Sequence, residues 1–241
     1  PSVNPLSWNA ADSQNGPVIA LGGSNGNLET IETSDGSLRY EIGLQDEPVA
    51  VGDADPGRVY VGGSGSVWAV SLIDGEVVWK QQYGASTRIN EPRVGDVDGD
   101  GILDVLTADR FPGDVSVLLG NGAGGFTAAA GSPFPVGDEP RSLALGDVDG
   151  DGALDVITAN FFSEDVSVLL GDGDGGFTAA AGSPFAVGDG PESLALADVD
   201  GDGRPDAVVT SDGFGSSGDE FLNVLTSNVL FEDSMAQPSV D

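Results

Sequence analysis

DVDGDGILDVLTA at 96–108, DVDGDGALDVITA at 147–159 and DVDGDGRPDAVVT at 198–210 are one motif written three times at a constant 51-residue offset. Each copy places acidic residues at alternate positions and follows them with a short apolar run. The surrounding text repeats at the same offset. VSVLLG at 115–120 returns at 166–171, GFTAAAGSPF at 125–134 returns unchanged at 176–185, and SLAL at 142–145 returns at 193–196. Repetition at one fixed period is the sequence mark of an array of structural units, and it takes precedence over local propensity.

One unit reads as four short strands. In the middle copy RSLALGD enters the acidic loop, LDVITAN leaves it, DVSVLLG follows and GFTAAAGSPFAVG closes the unit. These runs alternate or are continuously apolar over four to seven residues, and Gly, Asp, Asn and Pro bound them, as expected for strands. Apolar residues at helical spacing over ten or more positions are absent. The first ninety residues follow the same rhythm in other words. GGSNGNLETIETSDGSLRYE and GGSGSVWAVSLIDGEVVWK align as strand, Asp-Gly turn, strand, with Asp12 and Asp53 where the later units open their loops. Five units follow without an obvious linker, at about 5–45, 46–88, 89–138, 139–189 and 190–235. Four-stranded units of this length suit an all-β fold, a β-propeller of about five four-stranded blades in a single domain over 1–241. A β-helix would repeat about every 20 residues, and a sandwich would not explain the strict offset.

The three acidic motifs resemble the FG-GAP or VCBS repeat, found in the propellers of integrin α-chains and in many secreted bacterial and archaeal proteins. The first two units resemble the quinoprotein-like propeller repeat, with the Trp of DGEVVWK as its aromatic. The resemblance implies a calcium-binding propeller and says little about activity.

The loop chemistry agrees. Calcium takes six to eight oxygens at about 2.3–2.6 Å, and a nine-residue loop with carboxylates at positions one, three, five and nine and a carbonyl at seven can wrap it. The expected ligands are Asp96, Asp98, Asp100, Asp104 and the carbonyl of Ile102; Asp147, Asp149, Asp151, Asp155 and that of Ala153; and Asp198, Asp200, Asp202, Asp206 and that of Arg204. The Gly after the third Asp permits the sharp turn. Three Ca2+ sites are therefore expected. Asp12-Ser13-Gln14 and Asp53-Ala54-Asp55-Pro56 keep the turn but lack the ligand set, and read as metal-free. Asp172 and Asp174 read as a plain hairpin turn, since Asn121 and Ala123 stand there one unit earlier. Trp68 and Trp79 lie in alternating strands and read as packing between blades; Trp8 is open.

Composition narrows the function. Among 241 residues there is no Cys and no His, which removes disulfides, thiolate sites, the common zinc sites and the usual general base near neutral pH. An enzyme is not expected, although carbohydrate-active calcium propellers and quinone-dependent ones set the alternatives. Forty acidic against eight basic residues give a formal charge of −32, which repels nucleic acid and anionic membranes. Only twelve of the forty carboxylates belong to the loops, so a surface adapted to a salty medium is a second expectation. No apolar run reaches the ~20 residues of a membrane span. The chain begins with Pro1, which reads as a processed or excised form. A secreted or surface-displayed binding, adhesion or scaffolding module is expected. Its partner would be a protein or glycan ligand, copies of itself included; a subunit of an extracellular filament or layer is the alternative.

Overall fold

A computed structural model describes residues 8–12, 16–22, 27–32, 38–44, 50–55, 57–83, 87–90, 92–212 and 221–227. Short strands make five antiparallel sheets in chain order. The first sheet is β1 (Trp8–Asp12), β2 (Gly16–Gly22), β3 (Asn27–Glu32) and β4 (Leu38–Gly43). The second is β5 (Ala50–Asp55), β6 (Arg58–Gly62), β7 (Ser66–Ser71) and β8 (Val77–Gln82). The third runs β9 (Arg93–Gly95), β10 (Asp104–Asp109), β11 (Asp114–Gly120), with β12 (Phe126–Ala128) and β13 (Phe134–Pro135) both paired to β11. The fourth repeats it as β14 (Pro140–Gly146), β15 (Asp155–Asn160), β16 (Asp165–Gly171), β17 (Phe177–Ala179) and β18 (Phe185–Ala186). The fifth has three described strands, β19 (Pro191–Ala197), β20 (Asp206–Ser211) and β21 (Phe221–Leu225). The expected strand VLFED lies outside the described residues.

Each sheet is a meander, and successive sheets meet through their first strands: β1 against β5, β5 against β9, β9 against β14 and β14 against β19. These are the blades of a β-propeller. The apolar clusters lie between blades, so the middle strands are covered on both faces: all six residues of β10 and of β15 are buried, the polar Asp104, Thr107 and Asp109 and their counterparts Asp155, Thr158 and Asn160 included. Trp68 packs with Leu28 and Leu44 of the first blade, and Trp79 packs on Phe126 of the third at 4.8 Å between centroids. The side chain of Trp8 lies outside the described residues. Gly95 and Gly146 mark close approaches of neighbouring blades. A Cβ on Gly95 would come within 2.9 Å of Leu154, and one on Gly146 within 2.7 Å of Leu196.

Two expectations need correction. GFTAAAGSPF is not one strand: it breaks into two short pieces around a turn in which the Ser132 N–H donates to the Ala129 carbonyl. Pro133 carries no N–H for the ladder, and Ser132 Oγ instead accepts from Val117 N at 2.9 Å. Ser183 and Val168 repeat the arrangement. Residues 53–55 are also not a turn, because β5 runs on to Asp55 with a register shift between Val51 and Ala54. Asp12 ends β1, and Ser13 and Gln14 lie outside the described residues.

Candidate metal centre

The three acidic loops join the first strand of a blade to its second, so they stand at the same end of blades three, four and five. Their spacing has a local cause. An Asp carboxylate can accept the N–H two residues on, which closes a turn without a ladder. Asp98 Oδ1 accepts from Asp100 N at 3.2 Å, and Asp100 Oδ1 accepts from Ile102 N at 2.7 Å. Gly99 and Gly101 have φ of 73° and 84°, a left-handed conformation that suits glycine. Asp96 Oδ2 reaches across to accept from Gly101 N at 2.9 Å.

The ninth position closes the loop from below. Asp104 is fully buried; its Oδ2 accepts from Val97 N and its Oδ1 from Gly120 N, both at 2.8 Å. Asp155 does the same with Val148 N and Gly171 N at 2.8 and 2.9 Å. Asp206 does it with Val199 N and Ser227 N at 2.8 and 2.7 Å. Gly120 and Gly171 are required here, since a Cβ would lie 2.4 and 2.3 Å from the carbonyls of Leu103 and Leu154.

The result is three carboxylate groups of one design. Asp96, Asp98 and Asp104 each offer an oxygen within 4.8 Å of the others, as do Asp147, Asp149 and Asp155, and Asp198, Asp200 and Asp206. Each group could hold a metal ion. The fifth-position residues Asp100, Asp151 and Asp202 fall outside these groups, and each accepts the N–H of the seventh residue, Ile102, Ala153 or Arg204, at 2.7–2.8 Å. Burial pushes the carboxyl of Asp104 above its ordinary value, and Asp98 and Asp100 add to the push against the opposing backbone N–H groups. Burial likewise raises Asp155 to about 6, with Asp149 and Asp151 contributing. A cation would offset both effects.

The third loop differs. Asp198 and Asp200 are exposed where their counterparts are half-buried. Asp202 is engaged on its other oxygen by Ser227 Oγ at 2.8 Å and by the Arg204 guanidinium at 3.2 Å. The Arg204 N–H and the Ser227 hydroxyl, in that order, hold its carboxyl below the usual range. Asp172 and Asp174 make a plain hairpin turn: Asp172 Oδ1 accepts from Asp174 N and Gly176 N at 2.9 and 2.8 Å.

Blades with an acidic loop between their first two strands define a class, the β-propellers built on loop-bearing repeats. This chain carries FG-GAP-like repeats: the family pattern matches residues 96–158 and again 147–209. Among solved structures it is similar to BBS1N in complex with ARL6DN, in a crystal soaked with mercury, at TM-score 0.61 and 15% identity over 87% of this chain and 60% of that one. It is similar to the computationally designed protein Ika8 at TM-score 0.58 and 14% identity, over 87% of this chain and 55% of that one. In a lead-soaked crystal of the BBS1N complex the likeness covers 95% of this chain and 80% of that one at TM-score 0.55 and 13% identity. At such identities the likeness concerns the fold. No curated protein matches the sequence. Among the described residues no helix is long and apolar enough to cross a membrane.

Proposed function

We propose that the chain is a calcium-stabilised β-propeller that works outside the cell or at its surface as a binding, adhesion or scaffolding module, without catalysis. One observation carries this reading. The same carboxylate group recurs in three blades, and in the first of them Asp96 Oδ1 is buried without a hydrogen-bond donor. A buried carboxylate oxygen with no donor costs stability unless a cation meets it. Oxygens on a shared calcium lie at most about 5 Å apart, which suits each group. Asp96, Asp98 and Asp104, with their counterparts, would hold the ion. Asp100, Asp151 and Asp202 and the carbonyls of Ile102, Ala153 and Arg204 would complete the set.

Repeats of this family are typical of extracellular and surface proteins, where calcium is abundant enough for affinities of ~10⁻⁴–10⁻³ M. A chain without Cys or His is also better equipped to bind than to catalyse. At calcium tenfold above the dissociation constant each site contributes about 1.4 kcal/mol, and three contribute about 4. Melting in millimolar calcium against a chelator tests the reading. A rise of several degrees is expected with calcium, while superimposable curves would overturn it.

A further inference from the structure

The junction between the second and third blades is built unlike the one that follows it. Between blades three and four, the hairpin turn joining β16 to β17 sits on the first acidic loop. Gly175 N donates to the Val97 carbonyl at 3.2 Å, and a Cβ on Gly175 would lie 3.6 Å from that of Asp98. The corresponding turn of blade three, between β11 and β12, has no such loop to sit on. In the second blade β5 and β6 are joined through residues 56–57 alone. Arg58 faces the turn instead, and a Cβ on Gly124 would lie 3.6 Å from its Nη2. The missing loop leaves a cavity of about 240 Å³ lined by Arg58, Tyr60, Ile102, Leu103, Asn121 and Phe126, with the turn's glycines beside them.

Among the described residues Arg58 is the one charged group that lines it. The turn reads NGAGG at 121–125 where the next blade reads DGDGG at 172–176, so two carboxylates have become an amide and a methyl group. Among the described residues no carboxylate pairs with the Arg58 guanidinium. Asn121 Oδ1 is occupied by Ala123 N and Gly125 N at 2.9 and 3.0 Å, which leaves Nδ2 to donate. In a chain of formal charge −32, a guanidinium beside a turn stripped of its acids is a place for an anion.

We propose that this cavity binds a hexuronate, a single sugar ring bearing one carboxylate. Arg58 pairs with the carboxylate, and Asn121 Nδ2 and the backbone of the glycine turn meet hydroxyl groups. Ile102 and Phe126 cover the apolar face of the ring. Sites for drug-sized ligands run to ~300–1,000 Å³, so this smaller space suits one ring. Ile102 and Leu103 belong to the first acidic loop, so a cation there also sets one wall. The proposal rests on the reading of the chain as a calcium-stabilised binding module and adds its ligand class.

Sodium glucuronate is titrated into the full chain in calcium, followed by calorimetry and by the fluorescence of Trp79, which packs on Phe126. Glucose, acetate and a glycyl dipeptide are the comparison probes. Saturable binding of glucuronate is expected, with each comparison probe roughly tenfold weaker or more. Arg58→Gln and Asn121→Asp are each expected to weaken it about tenfold. The second variant installs the residue that already forms this turn one blade later, so it keeps the fold. Absence of saturation, glucuronate binding unchanged in both variants, or equal binding of the dipeptide would each overturn the proposal. The calcium-dependent melting shift is measured on the same samples and fails or holds on its own.

Discussion

Glu139 and Gly190 stand at the same point of successive blades and share a left-handed backbone, with φ of 55° and 67°. Glycine is at ease there; a glutamate costs about 1 kcal/mol. Glu139 is 3% exposed and holds two cations. It accepts from Arg141 Nε and Nη2 at 3.1 and 3.0 Å and pairs with Arg110, while Arg141 also pairs with Glu192 and lies over Phe161. Blades three, four and five are thus joined by ions.

Replacing Glu139 by Gly should relieve the backbone and still destabilise. Removing one partner of a largely buried pair costs about 3–5 kcal/mol, so a net loss of about 2–4 kcal/mol is expected in urea unfolding. Glu164, at φ 57°, is exposed and aligns with Gly113, at φ 89°. Glu164→Gly should therefore be neutral or stabilise by up to about 1 kcal/mol. If both variants shifted stability in one direction, the ionic account of Glu139 would be wrong.

Asp109 predicts a pH effect. Burial pushes its carboxyl up to about 7, and Asp114 adds to this against the hydroxyls of Thr107 and Ser116, which donate to it at 2.9 and 2.6 Å. The folded value lies above the unfolded one, so the folded chain keeps the proton longer and stability falls as pH rises from about 4 to about 7. The loss is up to about 4 kcal/mol. One blade later Asn160 occupies the place among Thr158, Asp165 and Ser167. Asp109→Asn should flatten that slope and raise the melting temperature at pH 8. A parent-like slope would refute the assignment.

The three loops should bind calcium unequally. Arg204 supplies a positive charge beside the third group, and Ser227 and Arg204 compete for Asp202. The third site is expected to be the weakest by calorimetry, and Arg204→Ala to tighten it several-fold. Stepwise binding that the variant leaves untouched would count against this.

Salt offers a separate test. With a formal charge of −32, self-repulsion opposes the compact state, and the screening length falls from about 10 Å at 0.1 M to about 3 Å at 1 M. The melting temperature without calcium should rise steadily toward molar sodium chloride. A flat response would mean that the surface charge is already compensated.

Much of this was legible in the sequence. The 51-residue offset announced the blades. The positions of Asp96, Asp98 and Asp104 announced a carboxylate group, because alternate spacing closes the loop through its own N–H groups. What could not be read depends on neighbours distant along the chain. Nothing in SPF says that Ser132 will take the place of a ladder bond, or that residues 53–55 will stay in a strand. Nor does Arg58 declare that the turn opposite has lost its acids. Those facts come from what one blade presents to the next.

The near-identity of blades three and four carries a hazard of its own. GFTAAAGSPF and VSVLLG can each dock with their own partner or with the copy 51 residues away, because the pairing surfaces are the same. Strand pairing alone therefore leaves the order of assembly degenerate. The residues at 139, 141, 190 and 192 are not interchangeable between copies, and the ions that Glu139, Arg141 and Glu192 form distinguish one neighbour from the other. On this view Glu139 and Arg141 act as an address. Exchanging their charges should lower refolding yield more than it lowers the stability of chains that have already folded.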